Sequence, residues 1–237
     1  MGAFLYGISL QWRLDLRSRT LLITCYIVPL LFFAVMGGIF TSVMPGAGET
    51  LIQSMTVFGV TMGALIGLPP SLVEIYGGDI KKVYRANGVP LWLGLALTNL
   101  SAFLHLLLMS GILYIAAPLA FRAVLPEDSV RYFLCLALFL AVSLGVASVI
   151  GLAVKDQAKT SVVSIAVFLP SILLSGIMFP VELLPGVLEM VGRAFPAAWG
   201  YRLLSDQVFQ VEGLLPLLAM LLLAAVLCGV LLRRVGE

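Results

Sequence analysis

Six stretches of the chain run for twenty or more residues without Asp, Glu, Lys or Arg: Thr20–Gly48, Thr50–Val73, Ala86–Phe121, Tyr132–Val154, Thr160–Val181 and Gly213–Leu232. About 20 apolar residues, rising about 1.5 Å each, cross a hydrocarbon core of about 30 Å, so every stretch can hold a spanning helix. The stretches are continuously apolar, whereas the strands of a membrane barrel are short and alternate in polarity. The expected fold is an all-α membrane protein with six transmembrane helices, forming one permease-like domain over residues 1–237.

Between these stretches the pattern changes. In residues 1–19, Phe4, Leu5, Ile8, Trp12 and Leu16 share one side of a helical wheel with Arg13 and Arg17 opposite, which predicts an amphipathic helix in the membrane interface. Asp15 and Arg19 interrupt the apolar side and are spaced to pair. Residues 74–90 form the largest polar excursion. There Ile80, Val83 and Tyr84 recur at helical spacing among Lys81, Lys82 and Arg85, Asp79 stands in the first turn, and Asn87-Gly88 and Pro90 close the segment. Residues 177–212 are too apolar for a solvated loop. Leu184, Leu188, Val191 and Phe195 form a stripe, and Glu189 and Arg193 can pair across one turn, predicting a re-entrant helical hairpin at the outer leaflet between the fifth and sixth spans.

Charge orients the chain. Arg13, Arg17, Arg19, Lys81, Lys82, Arg85, Lys155, Lys159, Arg233 and Arg234 fall on one face of a six-span topology, and Arg122, Arg131, Arg193 and Arg202 on the other. This asymmetry places both termini in the cytoplasm and the protein in a cell (inner or plasma) membrane, in contact with lipid. Hydrophobic residues make up 61% of the chain and charged residues 11%, with mean hydropathy +1.12, against roughly a quarter charged in soluble domains. A soluble domain is excluded, and no concentrated basic patch supports nucleic-acid binding. The first apolar run is longer than the roughly 7–15 residues of a signal-peptide core, so it is expected to be a retained span.

Small residues mark close helix contact. Gly59, Gly63 and Gly67 repeat every fourth position on the second span, and Ala137, Ala141 and Gly145 on the fourth; the spacing leaves open whether the contact lies within the chain or across a dimer. Cys25, Cys135 and Cys228 lie singly in different spans and read as packing residues rather than as a disulfide or metal framework.

Catalytic chemistry is sparse. No Gly-x-x-x-x-Gly-Lys-Ser/Thr loop is present, so the chain has no phosphate loop of that kind for ATP, and the single histidine, His105, excludes a His-pair metal site. His105 lies in the third span and reads as a neutral side chain bonded to a neighbouring helix, or as a functional group. Ser175-Gly176 with His105 is the only pairing an intramembrane serine protease could use, and Leu173 stands where that class has glycine. The spans hold no charged residue, which favours an external energy source or passive conduction over ion-coupled transport.

Two segments resemble the permeases of the ABC-2 type transporter family: Glu74 followed by Gly78-Asp-Ile-Lys-Lys-Val-Tyr-Arg-Ala-Asn-Gly-Val-Pro-Leu91, and Ser175-Gly-Ile-Met-Phe-Pro-Val-Glu-Leu-Leu-Pro185 followed by Phe195-Pro196. The resemblance covers essentially the whole chain. It implies the non-enzymatic transmembrane subunit of an exporter for amphipathic or lipid-like cargo such as a drug, a peptide or a lipid-linked glycan, the class that includes multidrug efflux. It further implies two copies of a separate ATPase subunit, which would carry ATP and Mg so that this chain binds no cofactor or metal, and a second permease copy or paralogue. Under this resemblance Glu74, Asp79, Lys81, Lys82, Tyr84 and Arg85 couple to the ATPase. Ser175, Gly176, Phe179, Pro180, Glu182, Pro185, Phe195 and Pro196 shape the outer gate, while Gly59, Gly63 and Gly67 pack helices. Ile75-Tyr76-Gly77 departs from the charged residues many relatives carry after the glutamate. A compact permease without a fused ATPase suggests a prokaryotic source. A non-transporting assembly protein is the alternative from another functional class.

Overall fold

The computed structural model describes residues 2–43, 46–78, 80–178, 181–206 and 211–236. Among these residues the only regular secondary structure is helical. An N-terminal helix α1 (Gly2–Arg17) ends at Ser18, whose hydroxyl accepts from the Leu21 amide and so starts α2 (Arg19–Val43). Then follow α3 (Leu51–Gly77), the short α4 (Ile80–Ala86), α5 (Leu91–Phe121), α6 (Ser129–Ala153), α7 (Gln157–Leu173), the short α8 (Gly186–Gly192), α9 (Pro196–Ser205) and α10 (Val211–Gly236). Asp128 and Asp156 cap α6 and α7 by accepting from the Arg131 and Lys159 amides.

Five of these helices are long and apolar enough to cross a membrane: α2, α3, α5, α6 and the Gly213–Val235 part of α10. The apolar α7 is shorter, at 17 residues. The uncharged run goes on to Val181, but Gly176, three residues past Leu173, takes φ +90°, a left-handed backbone that does not continue the helix.

The connections gather at two opposite ends of the bundle. At one, the Val124 amide donates to the Gly48 carbonyl at 3.0 Å, and Arg131 donates to the Asp206 carbonyl. At the other, the Tyr76 hydroxyl donates to the Leu91 carbonyl at 2.6 Å, and Gly77 lies so close to Lys155 that a Cβ would stand 3.2 Å from the Lys155 oxygen.

Helix α3 is the centre of the bundle, buried continuously from Leu51 to Thr61, while α2 turns Ile23, Ile27, Leu31, Val35, Ile39 and Val43 outward at every fourth position. Lipid tails are as apolar as leucine, so burial alone does not hold such helices together and polar clasps contribute. Thr56 meets the Tyr132 hydroxyl at 2.8 Å between α3 and α6, and Asn99 donates to Ser148 at 2.9 Å between α5 and α6.

The N-terminal helix α1 packs against α5. Of the side chains described in it, Leu10, Leu14 and Leu16 face outward, and Gly7, Gln11 and Asp15 form the line turned to α5. The side turned to α5 is aromatic as well as polar: Trp12 stacks on His105 and Ser101 donates to Asp15, while Gln11 Nε2 of α1 itself donates to the same carboxylate at 2.9 Å. Asp15 therefore pairs with these two groups and not with Arg19. Arg13 and Arg17 are exposed, as the amphipathic reading required.

Candidate functional site

Three places carry the residues singled out by sequence. The first is the loop between α3 and α5. Glu74 is exposed on the last turns of α3, Lys82 is exposed on α4, and Tyr84 is half-buried, turned back toward Gly94 and Tyr76. Asp79 lies outside the described residues, and Lys81 and Arg85 are placed on α4 by backbone alone. Asn87 Nδ2 donates to the Val83 carbonyl at 2.9 Å, Gly88 has φ +65°, and the Val89 amide returns to the Tyr84 carbonyl at 2.9 Å. This Asn-Gly closure is what lets so short a helix stop cleanly. With Tyr84 turned inward, Ile80 (39% exposed) and Val83 (56% exposed) point away from the bundle.

The second is the glycine face of α3. It is filled from within the chain: a Cβ on Gly59 would fall 2.5 Å from Met109 Cε, one on Gly63 2.2 Å from Leu106 Cδ2, and one on Gly67 3.0 Å from Thr24 Oγ1. Both α2 and α3 widen into π-helical turns where they meet, at Ile23–Ile27 and Gly63–Gly67. Such turns often mark functional positions, and no residue pattern announced them.

The third is the segment from Ser175 to Ser205. The Ser175 hydroxyl is buried, donates to the Ile172 carbonyl at 2.7 Å and accepts from the Ile177 amide at 3.3 Å. Phe179 and Pro180 lie outside the described residues, and Glu182 is placed by backbone alone in a 3-10 turn, Val181–Leu183. Two helices follow. Pro185 precedes α8, and the chain breaks at Phe195, whose extended backbone leads into Pro196 at the first position of α9. The break separates Phe195 from the stripe it was expected to share.

Charges and rings tie the two helices together. Arg193 bonds Glu189 at 2.7 Å, Arg202 approaches the same carboxylate at 3.5 Å and lies over the Trp199 ring, and Trp199 Nε1 donates to the Arg193 carbonyl at 2.7 Å. The hydrogen bond from Arg193 holds the Glu189 carboxyl below its usual range. Gly192 and Gly200 seat the pair, one against the Leu174 carbonyl and the other against the Phe139 ring. Neither glycine was singled out from sequence, because neither belongs to a repeat.

His105 has found a setting of its own on α5. It is fully buried, its Nδ1 meets the Tyr26 hydroxyl at 2.8 Å, and the Trp12 ring stacks on it. Since Ser175 spends its hydroxyl on its own backbone and His105 engages Tyr26, the pair that a serine protease would need is not hydrogen-bonded. Beside this cluster, burial raises the Asp15 carboxyl above its usual value, against the hydrogen bonds from Ser101 and Gln11. Among the described residues no group of three or more His, Cys, Asp and Glu is placed to hold a metal ion.

A comparison with curated proteins returned no match. The sequence model of the family described as ABC-2 type transporter matches residues 3–209, from the first turn of α1 through the loop between α3 and α5 and through α8 and α9. Five helices suited to crossing a membrane and a family match over most of the length lead to one conclusion: the chain is a multi-pass membrane protein belonging to the ABC-2 type transporter family, the membrane-spanning components of ABC transporters.

Proposed function

We propose that this chain is a single-domain membrane subunit of an ATP-driven exporter, crossing the membrane six times with both termini in the cytoplasm. It works with a second permease copy or paralogue and two copies of a separate ATPase subunit, which bind ATP and Mg; this chain performs no catalysis. The observation that carries the reading is α4: within the family-matched span, a short helix stands off the bundle with two apolar side chains, Ile80 and Val83, facing outward among basic residues. An apolar patch flanked by charge, outside the apolar spans, suits a protein partner.

Six crossings are supported by the way alternate turns collect at opposite ends of the bundle. The 17 residues of α7 rise about 25 Å, and Ser175–Met178 extends the path. The N-terminal helix, against α5, braces the same end as the coupling loop, and the segment 177–212 forms the outer gate.

Mechanistically, the ATPases close on ATP and push α4, whose root on α3 passes the motion to the glycine-packed centre as a rigid-body shift. The work comes from ATP binding the closed state better than the open one. The cargo is amphipathic or lipid-like, a drug, peptide or lipid-linked glycan, because the spans carry no charge to solvate an ion.

The test is to isolate the tagged protein from its native membranes in mild detergent and look for a co-purifying ATPase. Asp79→Lys with Lys82→Glu is expected to release that subunit while membrane insertion persists. A clean permease without ATPase, or unchanged association in the variant, would overturn the coupled-exporter reading. An assembly role through the glycine face is disfavoured, since Met109, Leu106 and Thr24 already occupy it.

A further inference from the structure

At the end of the bundle opposite the coupling loop, α3, α6 and α9 surround a cavity of about 770 Å³, within the range of small-molecule sites. Its rim is acidic. Glu49 comes from the turn before α3, Glu127 and Asp128 from the turn before α6, and Asp206 from the end of α9, so four carboxylates face one guanidinium, Arg131, which is drawn to the Asp206 carbonyl.

Deeper in, two polar atoms lack partners. Gln53 is only 6% exposed and its Oε1 accepts no hydrogen bond; the buried Ser205 hydroxyl is likewise unpartnered. The neighbouring Tyr132 hydroxyl is engaged with Thr56 and does not serve them. A buried amide oxygen is costly to leave unpaired, so it calls for a donor, and the carboxylates call for positive charge. Between them, Val124, Leu125, Leu203 and Leu204 supply apolar wall.

One chemical group answers both demands. An ammonium provides hydrogen-bond donors and a cation together, and its charge strengthens each bond it makes. We propose that this cavity binds the primary ammonium of an amphipathic amine, with Gln53 Oε1 and Ser205 Oγ as its acceptors, the rim carboxylates as its counter-charge and the leucines and valine against its hydrocarbon. That such an amine is cargo, held at the exit, rests on the exporter reading; the binding site does not.

The experiment uses the full chain in lipid nanodiscs and the fluorescent primary amine dansylcadaverine, with its N-acetylated, uncharged derivative as comparison. Saturable binding of the amine is expected, with the acetylated compound about tenfold weaker or worse, a difference of about 1.4 kcal/mol. Gln53→Met, which keeps the volume and removes the acceptor, should weaken the amine by a similar factor. Because Gln53 is buried, a second variant is read alongside: Glu49→Gln with Glu127→Gln, both exposed, should weaken binding and flatten its dependence on salt. Equal affinity for the amine and its acetylated form, or unchanged affinity in either variant, would overturn the site. Since no ATPase is present in this assay, failure here leaves ATPase association untouched, and loss of that association leaves the amine site standing.

Discussion

The Trp12 ring lies flat on His105, centroids 3.9 Å apart and planes 3° from parallel, while the Tyr26 hydroxyl reaches the same imidazole from the side at 2.8 Å. One side chain of α5 thus ties down both the N-terminal helix and the first span. An aromatic pair contributes about 0.5–1.5 kcal/mol beyond its burial, and an interhelical hydrogen bond in a membrane averages about 0.6 kcal/mol, so the stack is the stronger tether. Trp12→Ala should accordingly free α1 more than Tyr26→Phe does. Trypsin reads this directly, because Arg13 and Arg17 are exposed: cleavage there should accelerate markedly in Trp12→Ala and little in Tyr26→Phe. Equal rates would show that the stack holds nothing.

A pH dependence follows from Asp15, next to that stack. Burial raises its carboxyl above the ordinary value of 3.8, with the hydrogen bonds from Ser101 and Gln11 and the neighbouring His105 acting the other way. A raised folded-state value means that the folded protein takes up the proton more readily than the unfolded chain. The stabilisation is complete below the unfolded value and is lost as pH rises through the folded one. The Asp15 contribution to thermal stability should therefore grow as pH falls toward the ordinary carboxyl value, read as the difference between the wild type and Asp15→Asn. Asp15→Asn keeps a polar group for Ser101 without the buried charge, and it should flatten this gain. A variant whose profile tracks the wild type would remove Asp15 from the account.

The glycines differ in what a methyl group would meet, and this orders their substitutions. On Gly63 a Cβ would come within 2.2 Å of Leu106 Cδ2, the far end of a flexible side chain. On Gly192 it would come within 2.6 Å of the Leu174 carbonyl oxygen, which is backbone. Leucine can change rotamer and the carbonyl cannot, so Gly192→Ala should destabilise more than Gly63→Ala despite the longer distance. Overpacking costs typically about 1–3 kcal/mol. Melting temperatures of the two purified variants decide the order, and the reverse ranking would mean that α8 and α9 yield together as a body.

Much of this arrangement was legible in the sequence, for identifiable reasons. Uncharged runs locate the five long apolar helices because a buried charge in hydrocarbon has no cheap solution. Asn87-Gly88 and the Glu189–Arg193 spacing read correctly because capping and one-turn pairing depend on a few adjacent residues. What α1 packs against was not legible: the helical wheel places Trp12 and Asp15 on one side, and only the three-dimensional position of Ser101 and His105 makes that side meet α5. Gly192 and Gly200 escaped notice for the same reason, since their need for smallness is set by Leu174 and Phe139, distant in sequence. The acidic cavity is assembled from three separate turns, and Gln53 in its wall looked like any other polar residue near a span end.

Helix α4 allows the sharpest separation of the proposed function from stability. Ile80 and Val83 are 39% and 56% exposed, whereas Tyr84 between α4 and α5 is half-buried and holds the loop to the bundle. Surface substitutions away from buried contacts usually stay within about 0.5 kcal/mol, so Ile80→Asp with Val83→Asp should leave the melting temperature of the isolated permease unchanged. The same pair of carboxylates would place unpaired charge in the apolar centre of the proposed ATPase contact, where depletion of charge is the rule. Association with the ATPase, measured by co-purification, should then be lost while folding persists. Tyr84→Ala should do the opposite in part, lowering the melting temperature by loosening the root of the loop. If the double aspartate variant still recruits the ATPase at wild-type yield, α4 is not the docking surface, and Glu74 at the end of α3 becomes the residue to substitute.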